Sequence, residues 1–195
     1  MTPQRKQTLM KIISIQVGRP RNVRWRRTWV STGIYKDPVE GRLMLHRFNL
    51  EGDGQADLTV HGGWDKAVYV YPSEHYAFWR QELPNMPLPN GSFGENFTTE
   101  GLDEHSVHIG DRFRIGEAIV EVTQPRLPCY KLGIRFERPD MPKRFHQSER
   151  CGFYLAVIRE GAVQSGDVLK RIAHDDQDVS VIESYRQLFR RSLIS

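Results

Sequence analysis

The sequence predicts a mainly β fold with a few helices, rolled into a β-barrel-like body. Three observations carry this expectation. Apolar residues recur with a period of two in many short segments, as half-buried strands require. Glycine turns separate those segments, and Gly110-Asp111 and Gly166-Asp167 each open onto a strand. Long helical spacing is confined to a stretch after Pro72 and another near the C-terminus, so helices decorate the body rather than build it.

Taken in order, the residues before Met10 are polar and irregular, and Ile13, Ile15 and Val17 then alternate with polar neighbours to mark a first strand. Five arginines crowd into Arg19 to Arg27, with Trp25 and Trp29 interleaved. Basic residues with aromatics can bind nucleic acid through phosphates and stacking. One short run falls short of a basic face, and it reads rather as a solvated loop or a hairpin whose tryptophans pack inward while its arginines face water. The loop from Ser31 to Gly41 offers Lys36 as an anion contact, and Leu43, Leu45 and Phe48 mark a strand with Arg47 on its other side. Glu51 to Asp57 is an acceptor-rich turn, but it lacks the remaining ligands and closing glutamate of a calcium loop.

His61-Gly62-Gly63-Trp64-Asp65-Lys66 has two readings. It is a tight turn, or a nest of backbone N–H groups that binds an anion with help from His61 and Lys66. A helix follows Pro72, with Ser73 as its cap, Tyr76, Trp79 and Leu83 along one face and Pro84 as its stop. The Pro- and Gly-rich loop from Pro84 to Gly94 is of a length that is often functional. Gly94 would let main chain pass close to a bound group, and Glu95 and Asn96 offer acceptors and donors to a heterocycle edge. Turn-separated strands then occupy Val107 to Gly116 and Phe153 to Ile158, and Ile182, Tyr185 and Phe189 define an amphipathic C-terminal helix that packs on the barrel or on a second subunit.

At 195 residues and 38% hydrophobic content the chain suits one well-cored domain, read as a β-barrel over 10–175 with a helical tail over 176–195. It lacks an apolar run that spans a bilayer and an N-terminal h-region, which makes a cytoplasmic protein the expectation. Cys129 and Cys151 have no C-x-x-C spacing, so neither a structural zinc site nor a disulfide framework is expected, although one disulfide stays open.

The chemistry concentrates in Gln124-Pro125-Arg126-Leu127-Pro128-Cys129-Tyr130-Lys131-Leu132-Gly133. A strand carrying Ala118, Val120 and Val122 runs into it and prolines stop that strand; Leu132 and Phe136, four apart, begin a short helix with Pro128 in its first turn. That places Cys129 just inside a helix N-terminus. Free N–H groups, the positive end of the helix dipole, Arg126 and Lys131 would all favour its thiolate there. The alternative is a small buried hydrophobe, as most unpaired cysteines are.

In chain order, Thr32-Gly33-Ile34-Tyr35-Lys36, Gly52-Asp53-Gly54-Gln55-Ala56-Asp57, His61-Gly62-Gly63, Asp65-Lys66-Ala67, Phe93-Gly94-Glu95-Asn96-Phe97, Gly110-Asp111 and Gln124-Pro125-Arg126-Leu127-Pro128-Cys129 resemble the MOSC family, the C-terminal domain of molybdenum-cofactor sulfurases, in its YiiM-like branch. The resemblance covers roughly residues 10 to 175. It implies a barrel like the small domain of pyruvate kinase and a cysteine at Cys129 that ligates molybdenum or carries sulfur; a polarizable thiolate suits both roles. It further implies an anionic pterin cofactor, molybdopterin, cradled by Lys36, Arg47 and Arg126 for charge, Gly62 and Gly63 for close backbone approach, and Asn96 for the pterin edge. YiiM-like proteins often continue into a C-terminal three-helix region, where about one helix is expected here, and no pyridoxal-phosphate desulfurase domain is expected.

Three functions follow from the resemblance. The first is a molybdenum-dependent oxidoreductase that removes oxygen from N-hydroxylated compounds such as hydroxylaminopurines, with Cys129 on the metal and electrons from an external reductase, because the chain shows no nicotinamide or flavin motif and too few cysteines for a cluster. The second is sulfur transfer through a Cys129 persulfide. The third is a binding module that holds the cofactor without turnover. A homodimer stays open, and neither nucleic acid nor membrane is an expected partner.

Overall fold

The computed structural model describes residues 9–56, 62–174 and 178–192. The chain opens with β1 (Lys11–Val17), the hairpin β2 (Arg21–Trp25) and β3 (Thr28–Thr32), then β4 (Asp37–Val39), β5 (Arg42–Leu45) and a short 3-10 turn at Trp64–Lys66. β6 (Val68–Pro72), α1 (His75–Glu82), β7 (Phe97–Glu100), β8 (Arg112–Ile115) and β9 (Ala118–Pro125) follow. α2 (Tyr130–Arg135), α3 (Met141–Ser148), β10 (Phe153–Arg159), β11 (Gly161–Gln164), β12 (Leu169–Ala173) and α4 (Val181–Ser192) complete it.

Eight strands form one sheet in the order β12-β8-β9-β10-β6-β7-β1-β4, and β11-β5 and β2-β3 make two-stranded ribbons. The fold is mainly β with a few helices, as expected, but its strand order is open where a closed barrel was expected. The sheet curls instead until main chain near its two ends meets. Lys11 bridges Val168, Ile12 N–H donates to Asp167 O at 2.9 Å, and Leu169 N–H donates to Met10 O at 2.9 Å. All neighbours in the large sheet are antiparallel except β6 and β7, which run parallel with α1 and the 84–96 loop between them.

Period-two patterning holds in β9, where Ala118, Val120 and Val122 are buried and Ile119, Glu121 and Thr123 are less so. It fails in β1, because the pairing with β7 shifts register between Ile12 and Ser14. Such a bulge places two residues opposite one, so Ile12 and Ile15 enter the core and Ile13 is exposed. β2 and β3 do form a hairpin, but only Trp25 is half-buried; Trp29 is 72% exposed, since a lone two-stranded ribbon has no sheet behind it to cover that face. Phe48 is likewise exposed beyond the end of β5.

α1 starts at His75, and Ser73 makes no side-chain cap. Its buried face, Tyr76 and Trp79, belongs to an aromatic cluster centred on Phe93, which stacks on Tyr71 at 4.6 Å and meets Phe136 at 5.1 Å and Phe145 at 5.9 Å. This cluster ties the 84–96 loop, α2 and α3 to the sheet.

α4 packs on the sheet near β9, and Ser180 and Glu183 cap it reciprocally: Ser180 N–H donates to Glu183 Oε2 at 3.0 Å and Glu183 N–H to Ser180 Oγ at 3.3 Å. Its Tyr185 meets His146 Nδ1 of α3 at 2.8 Å, and Phe189 stacks on the same imidazole. Burial holds the His146 pKa below its usual 6.5. Because the unfolded imidazole takes up its proton more readily, this stability contribution is complete above pH 6.5 and declines as pH falls through 6.5 toward the lower folded value. We expect the melting temperature to drop between pH 7 and pH 5 and to drop less in His146→Gln, read by thermal unfolding across that range.

Candidate functional site

The end of β9, the N-terminal side of α2, the 32–36 segment, the 53–56 turn, the 3-10 turn and the 93–96 loop converge on one open pocket. Its walls include Lys36, Asp53, Lys66, Asn96, Arg126 and Cys129. Strand β9 runs through Pro125, and Cys129 then sits in extended conformation (φ −128°, ψ 170°) as the N-cap of α2. It is one residue outside the helix, and Pro128 precedes the cap rather than occupying the first turn. Neither cysteine is in a disulfide: Cys129 is partly exposed in the pocket, whereas Cys151 is fully buried and its pKa is pushed up by that burial.

Asp53 organises one wall. Its Oδ1 accepts from Gly18 N–H at 2.8 Å and from Lys36 Nζ, and its Oδ2 accepts from Asn96 Nδ2 at 2.8 Å. The Lys36–Asp53 pair is almost entirely buried, and burial lowers the Lys36 pKa against the opposing pull of the carboxylate. Asn96 is a clasp more than a reader of ligand edges. Its second amide hydrogen goes to Gln16 O at 3.3 Å and its Oδ1 accepts from Tyr69 N–H at 3.1 Å.

Arg126 carries the opposite wall. It is 6% exposed, donates to Phe93 O at 2.6 Å and lies over the Tyr69 ring at 4.6 Å. Burial alone would lower its pKa, but the hydroxyls of Tyr69 and Tyr154 and the Cys129 thiol outweigh that and raise it. The guanidinium is therefore a fixed positive charge within electrostatic reach of Cys129. Lys131 adds a second: it is 9% exposed, lines the pocket and forms no hydrogen bond or ion pair with any described residue. With Arg126 it makes the pocket wall positive, and an anion is the natural complement of such a wall.

Several expected site residues lie elsewhere. Arg47 is exposed and outside the pocket, its N–H donating to Glu160 Oε1 at 2.7 Å; it follows β5 on the outer side of the turn. Glu95 points into the protein, where it accepts from Tyr76 Oη, from Gly91 N–H at 2.7 Å and from Thr98 Oγ1 at 3.0 Å, so it folds the loop and does not meet a ligand. Gly63 does not offer its N–H to an anion, because Gln55 Oε1 takes it at 3.0 Å, and Gly62 is buried beside it. Gly94 lines the pocket at φ 81°, but the close approach it permits is to Ile34, whose Cγ1 would stand 2.8 Å from an added Cβ. His61 lies outside the described residues. Lys36, Lys66, Gly94, Asn96, Arg126 and Cys129 do come together.

Asp53, Lys131, Tyr69 and Tyr154 are wall residues that sequence reasoning did not single out as site residues. Asp53 stood in a turn weighed for calcium and quoted within the resembling Gly52 to Asp57 series but given no role of its own, and Tyr154 stood in the expected strand Phe153 to Ile158. Lys131 was read solely as charge near Cys129; its place beside the cysteine was the available signal.

The MOSC domain family model matches residues 57–170. The chain is 46% identical to YflK of Bacillus subtilis (strain 168) over 176 residues, 90% of this chain and 79% of that protein. It is 42% identical to YiiM of Escherichia coli (strain K12) over 155 residues, 78% of this chain and 69% of that protein. A protein of Gibberella moniliformis named a reductase is 32% identical over 84% of this chain, which spans only 30% of it. The crystal structure of YiiM from Geobacillus stearothermophilus superposes with a TM-score of 0.77 at 34% identity, over 93% of this chain and 85% of that one. MOSC domains are associated with binding of the molybdenum cofactor. With the family model over more than half of its length and YiiM proteins alike in sequence and in structure, the chain belongs to the MOSC domain family, in its YiiM-like branch.

Proposed function

We propose that this chain binds the molybdenum cofactor in the Cys129 pocket and reduces N-hydroxylated small molecules with electrons from a separate reductase. The observation that carries the reading is a partly exposed thiol that shares one pocket with Arg126 and with Lys131, a cation that makes no ion pair with any described residue. The donor set fits the group. A thiolate is a soft ligand suited to the metal, and Lys131 and Arg126 complement the anionic phosphate and dithiolene portions, the rigid guanidinium more firmly than the ammonium.

When bound, the cofactor supplies a centre that accepts oxygen from the substrate and takes up electrons. The chain supplies the rest. Cys129 Sγ would hold the metal at the mouth of α2; Arg126, seated over the Tyr69 ring, and the Lys36–Asp53 pair fix the walls; Tyr154 lines the pocket with them. Burial raises the pKa of Tyr154, which keeps its hydroxyl a neutral donor. Overall, N–OH gains two electrons and two protons and leaves as N–H and water. The electron source is a flavin or iron–sulfur reductase.

The test is expression in a host that makes the cofactor, followed by analysis for molybdenum and pterin and by assay with a hydroxylaminopurine and a chemical electron donor. We expect close to one molybdenum per chain and metal-dependent loss of the N-hydroxyl group. Metal-free protein carrying a transferable sulfane sulfur on Cys129 would favour sulfur transfer instead, and bound cofactor without turnover would reduce the chain to a binding module.

A further inference from the structure

A second group of ligating side chains lies apart from the Cys129 pocket, where the loop before β8, the end of β12 and the residues before α4 meet. His108, Asp111 and His174 each offer a ligand atom there, and those atoms lie within 4.8 Å of one another. The two imidazoles meet edge to face with centroids 4.9 Å apart. Asp178 lies on their far side, its Oδ1 3.1 Å from His108 Nε2 and 3.3 Å from His174 Nε2.

This arrangement sets the tautomers. A carboxylate oxygen between two Nε2 atoms calls for Nε2–H on both rings, which leaves His108 Nδ1 as a lone pair, while His174 Nδ1 shares a proton with Asp111 Oδ1. His174 Nδ1 lies 2.6 Å from Asp111 Oδ1, and His108 Nδ1 lies 3.9 Å from Asp111 Oδ2. His108 Nδ1 is buried without a hydrogen-bond partner, and Asp111 is fully buried. Asp111 Oδ1 is hydrogen-bonded to His174 Nδ1, and Oδ2 accepts from His108 N–H at 3.0 Å with Arg171 3.3 Å away, so His108 Nδ1 is the ligating atom left without a partner. A cation that takes this nitrogen displaces the proton shared by His174 Nδ1 and Asp111 Oδ1 and binds both.

We propose that His108, His174 and Asp111 bind a divalent transition cation of the zinc class, with Asp178 as the outer carboxylate that orients both imidazoles. Two imidazole nitrogens and one carboxylate oxygen are a common donor set for such ions, and a carboxylate behind a ligating histidine is its usual support. Solvent completes the coordination, because His174 and Asp178 are exposed. The ion fastens the end of β12 to the 106–111 loop, and His108 pairs onward with Ser180 at the start of α4, so its role is to lock the C-terminal part of the sheet and its helix together.

The experiment is a Co(II) titration of the full chain, purified without a histidine tag and treated with chelator, with zinc competition. We expect one equivalent bound with visible d–d bands and no near-ultraviolet thiolate band, which separates this site from Cys129. His174→Ala should lose the spectrum. Asp178→Asn should weaken binding about 10- to 100-fold. Asp178 has φ 50° and is 70% exposed, and asparagine accepts both conditions, so that variant keeps its fold. Absence of the d–d bands in the native chain, or equal affinity in Asp178→Asn and His174→Ala, would overturn the assignment.

Discussion

Cys129→Ser should give a protein that melts at or slightly above the native temperature yet retains no molybdenum and no turnover. The two halves of this result come from different features of the same position. Cys129 is the N-cap of α2 in an extended conformation and makes no capping hydrogen bond from its side chain. Serine is among the best N-cap residues, so the exchange is neutral or stabilises by up to about 1 kcal/mol. A hydroxyl stays protonated where a thiol gives a thiolate, and it is a poor partner for a soft metal or a sulfane sulfur. Side-by-side measurement of melting temperature and bound molybdenum separates the roles. Metal retained at native stoichiometry would move the ligand to another residue.

Asp53→Ala should have the largest effect on the fold among single changes in the pocket wall, about 3–5 kcal/mol of lost stability, because it removes one partner of a buried ion pair and leaves the other charged. Lys36 would stay covered with no anion, while Gly18 N–H and one Asn96 amide hydrogen would lose their acceptor. For a chain of this length the loss corresponds to a fall of roughly 6–20 °C in melting temperature. A double change, Lys36→Met with Asp53→Leu, removes both charges and should recover most of that stability. It should not recover cofactor retention if Lys36 also serves the bound anion. Equal loss of stability in the single and double variants would show that the wall depends on shape rather than charge.

Much of the fold was legible because its strands obey simple periodicity. β9 alternates cleanly, and the amphipathic spacing of Ile182 and Tyr185 announced α4. What escaped has physical causes. The bulge in β1 depends on its pairing with β7, 82 or more residues away, which leaves no trace in the local pattern of Ile12 to Val17. α3 has only Met141 and Phe145 buried in eight residues, too few for a period to show. In the site, Cys129, Arg126 and Lys36 were legible as charge and nucleophile beside turns. The fate of a polar side chain was not. Glu95 and Asn96 are adjacent and equally polar, yet one is consumed by its own loop and the other clasps two strands and Asp53, a distinction that only the folded neighbours decide.

The seam between Lys11 and Val168 has a consequence for how the molecule is made. A contact spanning most of the chain carries a large loop-closure cost, and topologies dominated by such contacts fold slowly. On the ribosome, β1 emerges long before the partner it meets near β12. Until then one margin of β1 presents unpaired backbone, the kind of edge that recruits other chains. Its neighbours on that strand are sparing in apolar surface: Lys11, Ser14 and Gln16 interrupt the isoleucines. Lys11 and Ser14 thus keep that margin polar until its partner arrives.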